Sequence, residues 1–334
     1  MFSIIIPLYN RPDEIDELLA SLCRQVYTDF EVVIVEDGSS KPARSTVESY
    51  KDRLKVNYFF KPNEGQGFAR NYGFERAEGD FFIVLDSDVL VPEDYLLKVR
   101  RSLDEHHWDA FGGPDAAHES FTDIQKAISY SMTSPLTTGG IRGNKKHVGH
   151  FHPRSFNMGI SRKVWEATGG YKLSRRSEDI EFSIRMINQG YKVGLIPEAF
   201  VYHKRRANIA QFFKQVYGFG KGRIDISMLY PGELKLVHAL PAFFTLGFAI
   251  VLLCPVFQVF FVGRSSFFAV LSEAGAFFLL LFTLALFCHS WISTRSIKVA
   301  LLSVVTSYTQ ILAYGIGFIQ NFVDRKLLNK DTSK

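Results

Sequence analysis

Asp86 and Asp88 flank a single serine at the end of a short apolar run, Phe81 to Leu85. In an extended chain successive side chains point to opposite faces, so the two carboxylates share a face if the extended geometry persists through Ser87. A pair placed this way suits a hard, oxygen-loving cation such as Mg2+ or Mn2+, or the hydroxyls of a ligand. A plain polar loop after a strand is the competing reading. A second acidic pair, Glu178 and Asp179, opens a segment in which Ile180, Ile184 and Ile187 have helical spacing and Glu181 and Arg185 pair at i, i+4. Carboxylates in a first helical turn are stabilised by the helix dipole, which accounts for them even without chemistry. Two more polar clusters follow apolar runs: Pro7 to Arg11, and Glu36 to Ser40.

The elements that must position these groups read as an α/β pattern. Phe2 to Ile6 and Phe30 to Val35 are all-apolar or nearly so, as strands covered on both faces are. Between them Pro12 suits the first turn of a helix, whose Ile15, Leu18, Leu19 and Leu22 fall at i, i+3, i+4 and i+7. A strand, helix, strand order with connections of this length implies parallel pairing. Ligands of open parallel sheets bind beyond the carboxyl ends of the strands, so the clusters at Pro7, Glu36 and Asp86 are expected side by side. For Asp37 an Asx turn before Gly38 is the alternative. Further helices are expected after Pro92, around Ile124 to Met132, and from Glu178 to Gly190, with a strand at Tyr191 to Ile196. The Gly65-Gln66-Gly67 segment begins a dinucleotide fingerprint but has Arg70 at the third glycine, which argues against a Rossmann dehydrogenase.

The stretch from Asn63 to Asp88 resembles glycosyltransferase family 2. The resemblance rests on Asn63, Gly65, Gly67, Ala69-Arg70-Asn71, Gly73, Ala77, Gly79-Asp80 and Asp86-Ser87-Asp88 at fixed spacing. It implies a GT-A fold, Rossmann-like with a mostly parallel sheet, and inverting transfer of a sugar from a nucleotide donor. By the resemblance Asp88 is the metal ligand, Asp86 contacts the ribose side, and Arg70 lies near the base and diphosphate. Pro7, Tyr9 and Asn10 belong to the segment that holds the base and ribose. Asp37 matches the position that accepts a hydrogen bond from uracil, although Glu36 departs from the commoner Asp. Glu178-Asp179, preceded by Gly169-Gly170-Tyr171, resembles the family's E-D motif, which makes Asp179 the general base and gives Glu178 a donor or acceptor contact. Pro197 to His203 resembles the family stretch whose His approaches the diphosphate or metal, so His203 is a third metal ligand or a local hydrogen-bonding group. His147, His150 and His152 offer metal ligands or an acceptor pocket, against a loop with no ligand role. The Q-x-x-R-W motif of processive synthases in this superfamily is missing.

Across 334 residues the charge is scattered up to about position 235, whereas Leu240 to Val323 contains only Arg264, Glu273, Arg295 and Lys298 as charged residues. Three spans are expected, at 240–262, 267–292 and 299–323, joined first by a tight turn at Gly263 to Ser266. Two or four spans remain alternatives, because the basic tail at Asp324-Arg325-Lys326 opposes a three-span topology with the catalytic part inside. Glu273 is expected to face protein, headgroup or interface. The catalytic domain is taken as 1–235, with 206–235 a candidate interfacial amphipathic segment, and the transmembrane region as 236–325. A net charge of +5 with no basic stripe interleaved with aromatics excludes a nucleic-acid reader. Cys23, Cys254 and Cys288 form neither a zinc spacing nor a disulfide framework. The N-terminus lacks a secretory pattern, so a cytoplasmic catalytic domain on a multi-pass anchor is expected. The implied reaction moves a sugar from a nucleotide sugar, a UDP-sugar favoured, to a hydroxyl of a lipid-linked or glycan acceptor. A polyprenyl-phosphate hexosyltransferase is the near alternative, and a silent nucleotide-sugar sensor or assembly scaffold the distant one.

Overall fold

The computed structural model describes residues 1–138, 151–260 and 265–330, excluding the side chains of 257–260 and 265–266. His147, His150 and the first two residues of the turn expected at Gly263 to Ser266 lie outside the described residues, and Ser265 and Ser266 begin a helix. The chain divides into two compact units, one of Met1–Glu119 with Gly143–Lys204, the other of Ser120–Arg142 with Arg205–Lys334.

Among the described residues the first unit holds ten strands: β1 (Phe2–Leu8), β2 (Phe30–Asp37), β3 (Val56–Lys61), β4 (Phe81–Leu85), β5 (Val89–Leu90), β6 (Ala110–Gly112), β7 (Asp115–Ala116), β8 (Asn157–Ser161), β9 (Val193–Leu195) and β10 (Val201–His203). Seven of them form one sheet in the order β3-β2-β1-β4-β8-β6-β9. The first four are parallel, as expected, and β8 runs antiparallel between β4 and β6. The chain leaves the sheet after β6 and re-enters at β8 from the same end, where Gly112 stands opposite Met158, which reverses that strand. Helices α1 (Pro12–Leu22), α2 (Arg44–Glu48), α3 (Gln66–Phe74) and α4 (Tyr95–His106) belong here, with α7 (Arg162–Thr168) and α8 (Glu178–Asn188).

Strand alternation sorts the core into two layers. Ile4, Ile6, Val32 and Ile34 pack with Ile15, Leu18, Leu19 and Leu22 of α1. Ile5, Val33, Val35 and Val84 pack with Ala69 and Phe74 of α3 and Phe182 of α8. β1 runs two residues longer than the apolar run suggests and includes Pro7. Pro7 is tolerated because pairing with β4 stops at Ile5, so no β4 carbonyl is left without its donor. A second sheet, in the order β5-β10-β7, was not legible in the sequence because its strands have two or three residues.

The second unit contains α5 (Asp123–Thr133), α6 (Pro135–Thr138), α9 (Ile209–Leu229), α10 (Leu240–Phe260), α11 (Ser265–Thr294) and α12 (Ile297–Phe322). Among the described residues two helices are long and apolar enough to cross a membrane, Phe267–Thr294 and Ile297–Leu327, and Leu240–Val256 is apolar but shorter. Glu273 is exposed on α11. Part of the apolar stripe of α9 is covered within this unit: Phe212 and Val216 cluster with Ile128 and Met132 of α5 and Ala313 of α12, while Ile209 and Phe213 stay exposed. Backbones come close where side chains vanish, and a Cβ on Gly220 would lie 2.1 Å from the Tyr314 carbonyl oxygen and one on Gly317 2.2 Å from that of Tyr217. At the other end of α12, Thr306 Oγ1 donates to the Ala127 carbonyl at 3.0 Å and Lys298 pairs with Asp123 at 2.7 Å. Tyr130 Oη and His289 Nδ1, 2.9 Å apart, tie α5 to α11.

Asn157, the first residue of β8, ties the large sheet to α4 and to the segment before β10. It is fully buried, accepts from Tyr95 Oη at 2.6 Å and donates to the Ala199 carbonyl at 2.8 Å. Replacing it with alanine leaves a buried hydroxyl and a buried carbonyl unsatisfied. We expect Asn157→Ala to cost about 2–4 kcal/mol, read as a clear fall in the thermal unfolding midpoint.

Candidate active site

The parallel order β2-β1-β4 puts three strand ends on one edge. Leu8 stands opposite Glu36, and β4 ends one residue before Asp86. Arg70, from the middle of α3, is almost completely buried beneath this edge. One guanidinium nitrogen reaches Asp86 Oδ1 at 2.8 Å and the other Glu178 Oε1 at 2.9 Å, while the plane lies over Tyr171, 5.3 Å from the ring centroid. Burial opposes the Arg70 charge, but Tyr171, Asp86 and Glu178 outweigh it and raise its pKa. Two distant segments, the end of β4 and the start of α8, thereby share one cation.

The N-terminus of α3 is laced to the segment before α8. Gly67 N donates to the Ser174 carbonyl at 2.8 Å, and a Cβ at Gly67 would lie 2.2 Å from the Leu173 oxygen, so only glycine permits this approach. Asn71 exchanges two 2.8 Å hydrogen bonds with the backbone of Tyr171. Gln66 donates to Glu178, and Arg175 to Asn63. Ser177, immediately before Glu178, adopts φ +58°, a left-handed conformation that aims the first turn of α8 at Arg70.

Asp88 meets His203 through the small sheet. β10 pairs antiparallel with β5 so that His203 stands opposite Val89, and Lys204 N donates to the Asp88 carbonyl at 2.9 Å. The His203 Nε2 lies 3.2 Å from Asp88 Oδ1, its ring packs against Phe156, and Nδ1 is buried with no hydrogen-bond partner among the described residues. Arg11 closes the other side by an ion pair to Asp88 Oδ2. One ligand atom from each of Asp86, Asp88 and His203 lies within 4.8 Å of the others. Two carboxylates and an imidazole at that spacing fit a divalent cation of the Mg2+ or Mn2+ type.

The two neighbouring strand ends are tied by side chains that stay inside the protein. Asp37 accepts from Lys61 Nζ at 3.1 Å and from the backbone N–H groups of Glu64 and Gly65 at 2.9 and 2.8 Å. Glu36 is fully buried, accepting from Tyr58 Oη at 3.0 Å, from Ala43 N at 2.9 Å and from Ser39. Its extra methylene lets it span the turn that follows β2. Asn10, at φ +54°, donates its N–H to Ser39 Oγ at 2.7 Å and accepts from Lys41 N at 3.0 Å. Tyr9 is half exposed beside it.

Glu178 and Asp179 differ sharply in surroundings. Burial first, and Asp179 second, push the Glu178 carboxyl up to about 7 against the opposing pull of Arg70 and Gln66. Asp179 is partly exposed, accepts its neighbour Ile180 N–H at 2.8 Å and has Arg154 at 3.6 Å. His152 instead makes a 2.9 Å hydrogen bond with Ser183 Oγ and has no place in the acidic cluster.

Of the residues singled out in the sequence, Arg70, Asp86 and Glu178 form one connected group, and Asp86, Asp88 and His203 another. Asp37, Asn10, Tyr9 and Pro7 sit on the adjoining strand ends, and Asp179 lies one residue along α8 from Glu178. Sequence reasoning missed Arg11, Gln66 and Tyr171 as members. The signal for Arg11 was present, since it ends the polar cluster after β1, but nothing in its spacing points to Asp88, 77 positions away.

Residues 3–168 match the family model described as Glycosyl transferase family 2. Poly(ribitol-phosphate) beta-N-acetylglucosaminyltransferase TarS of Staphylococcus aureus is 39% identical over 112 residues, covering 32% of this chain and 20% of that protein. Validoxylamine A glucosyltransferase of Streptomyces hygroscopicus is 39% identical over 103 residues, covering 30% of this chain and 24% of its own. The chain thus spans about a fifth to a quarter of the length of these curated relatives. The mannosyltransferase PcManGT from Pyrobaculum calidifontis, solved with GDP-Man and Mn2+, matches with a TM-score of 0.58 at 16% identity, over 97% of this chain and 87% of that one. That likeness shows the fold, the mixed α/β arrangement of GT-A proteins.

The raised carboxyl of Glu178 makes stability depend on pH. The folded state keeps its proton up to about pH 7, whereas an unfolded glutamate releases it near 4.5. Stability from this group is therefore present below 4.5, falls as pH rises to 7 and is flat above, a loss of roughly 3 kcal/mol at most. In thermal unfolding between pH 4.5 and 8, Glu178→Gln should abolish that decline relative to the wild type. Parallel curves for the two proteins would contradict it.

Proposed function

The chain carries a glycosyltransferase family 2 domain, and on that premise we propose that it transfers a sugar, with inversion, from a nucleotide sugar to a hydroxyl of a lipid-linked or glycan acceptor at a membrane face. The observation that carries this is the convergence of Asp86, Asp88 and His203 at the end of β4, beside the ends of β1 and β2. Asp88, with Asp86 and His203 (the latter the less direct ligand), would hold Mg2+ or Mn2+, which when bound neutralises charge on the departing diphosphate.

The remaining work falls to the protein's own side chains. Arg70 fixes Asp86 and Glu178 and adds positive charge beneath the strand ends. Asp37, immobilised by three donors, is the acceptor assigned to a uracil N–H, with Pro7, Tyr9 and Asn10 around the nucleoside. That assignment favours UDP; GDP is the alternative, as in the archaeal mannosyltransferase. Asp179 is the general base, partly exposed and so able to meet an incoming hydroxyl and take its proton as the bond to the anomeric carbon forms. Glu178 acts beside it on donor or acceptor and positions Arg70.

The second unit supplies the membrane. Its helix α11 is apolar and mostly exposed, which supports immersion in lipid, and we assign 236–325 as a multi-pass anchor of three helices and 1–235 as a cytoplasmic-facing domain. An anchored enzyme meets lipid-linked acceptors at the bilayer surface. The same feature favours a polyprenyl phosphate as a second acceptor class, whose phosphate needs little deprotonation.

Calorimetry on detergent-solubilised protein with UDP, GDP and nucleotide sugars, with and without Mn2+, tests the site. We expect metal-dependent binding of one nucleotide, lost in Asp88→Ala. Absence of binding in both proteins, with no donor hydrolysis, would favour a silent scaffold. Asp179→Asn should lower turnover about 10²–10⁴-fold with donor binding intact for a hydroxyl acceptor. A loss of only a few-fold would favour the phosphate acceptor.

A further inference from the structure

The two aspartates of the β4 end are each already paired with a guanidinium, and the two guanidiniums are held very differently. Arg70 on Asp86 is almost completely buried, carries a second carboxylate and lies against Tyr171. Two carboxylates and a ring hold it in place. Arg11 on Asp88 leaves 28% of its side chain exposed and makes that one ion pair. It occupies the position before α1, with φ −138° and ψ 57°, and makes no side-chain capping bond there. The guanidinium therefore turns away from its own helix and reaches across to the end of β4, where Asp88 is buried.

We propose that Arg11 is a resident counter-ion that occupies the divalent cation's place on Asp88 and has to leave that carboxylate when the cation binds. The inference rests on the reading of Asp86, Asp88 and His203 as a metal site. Its physical basis is the geometry of one carboxylate. Asp88 Oδ2 faces Arg11 and Oδ1 faces His203, so a cation at the ligand distance of about 2.1 Å meets a guanidinium already in place. Two positive groups a few ångströms apart at a site this buried repel each other strongly. In the absence of the cation, Arg11 spares the buried Asp88 the cost of an unpaired charge. Once displaced, Arg11 is an unpaired guanidinium beside a bound dication, and a nucleoside diphosphate is the chemistry that satisfies both. Metal and nucleotide binding are thereby coupled: each is weak alone and each strengthens the other.

The test is titration of Mn2+, followed by loss of the free-ion electron paramagnetic resonance signal, on the whole protein with and without UDP. Arg11→Ala should bind Mn2+ alone about tenfold more tightly than the wild type, and the strengthening of Mn2+ binding by UDP should shrink by about the same factor. Arg11→Gln, which fills similar space without the charge, should behave like the alanine variant and guards against a packing effect. Arg11→Lys keeps the charge and should retain wild-type weakness. Unchanged or weaker Mn2+ binding by the Ala and Gln variants, with unchanged thermal midpoints, overturns the inference and leaves the metal site standing. Absence of Mn2+ binding in every protein, even with UDP, overturns the metal site and the inference together.

Discussion

A single buried guanidinium holds the candidate site together. Arg70 has almost no exposed surface, and its charge is tolerable only because Asp86 and Glu178 face it from two sides and Tyr171 covers its plane. Removing either carboxylate would leave a buried cation short of a partner, which costs more than the pair itself gains. This constraint explains why the surrounding chain is so closely laced. Gly67 admits the backbone of Leu173 and Ser174, Asn71 grips Tyr171, and Ser177 accepts a left-handed conformation, all within reach of Arg70. The site is thus braced from beneath before any ligand arrives.

The same arrangement gives two acidic neighbours different surroundings. Glu178 faces inward, against Arg70 and out of water; Asp179, one residue later on the helix, faces partly into solvent. Helical geometry alone turns consecutive residues by about 100°, since 3.6 residues complete a turn. Glu36 and Asp37 make a parallel case after β2. There the alternation of a strand directs Glu36 into the turn and Asp37 toward Lys61 and the Asn63–Gly65 segment.

How much was legible in the sequence follows from the range of the interactions. The apolar runs of β1, β2 and β4 and the stripe of α1 report local periodicity, so the parallel sheet and its ordered strand ends could be read directly. The fixed spacing from Asn63 to Asp88 carried the family resemblance for the same reason. His203 was placed by resemblance alone, because the two-residue pairing of β10 with β5 that delivers it has no periodicity to read. Arg11 was invisible as a partner of Asp88, since an exposed-looking arginine before a helix carries no sign of where its side chain turns. Amphipathicity told that α9 buries Phe212 and Val216, but not against what: α12 and α5 take those two side chains. The antiparallel course of β8 depends on where the chain re-enters the sheet, which no local pattern encodes.

The clasp around α12 sets a schedule for biosynthesis. Its covering helices, α5 and α9, come earlier in the chain than α12 itself. From the emergence of Leu229 to that of Phe322, roughly 5–20 s at ordinary elongation rates, the faces carrying Ile128, Met132, Phe212 and Val216 lack the helix that buries them. Throughout that interval the ribosome displays a nascent chain whose sheet can close but whose second unit cannot. The nascent chain therefore needs a holding surface, a chaperone or the bilayer itself, for those seconds.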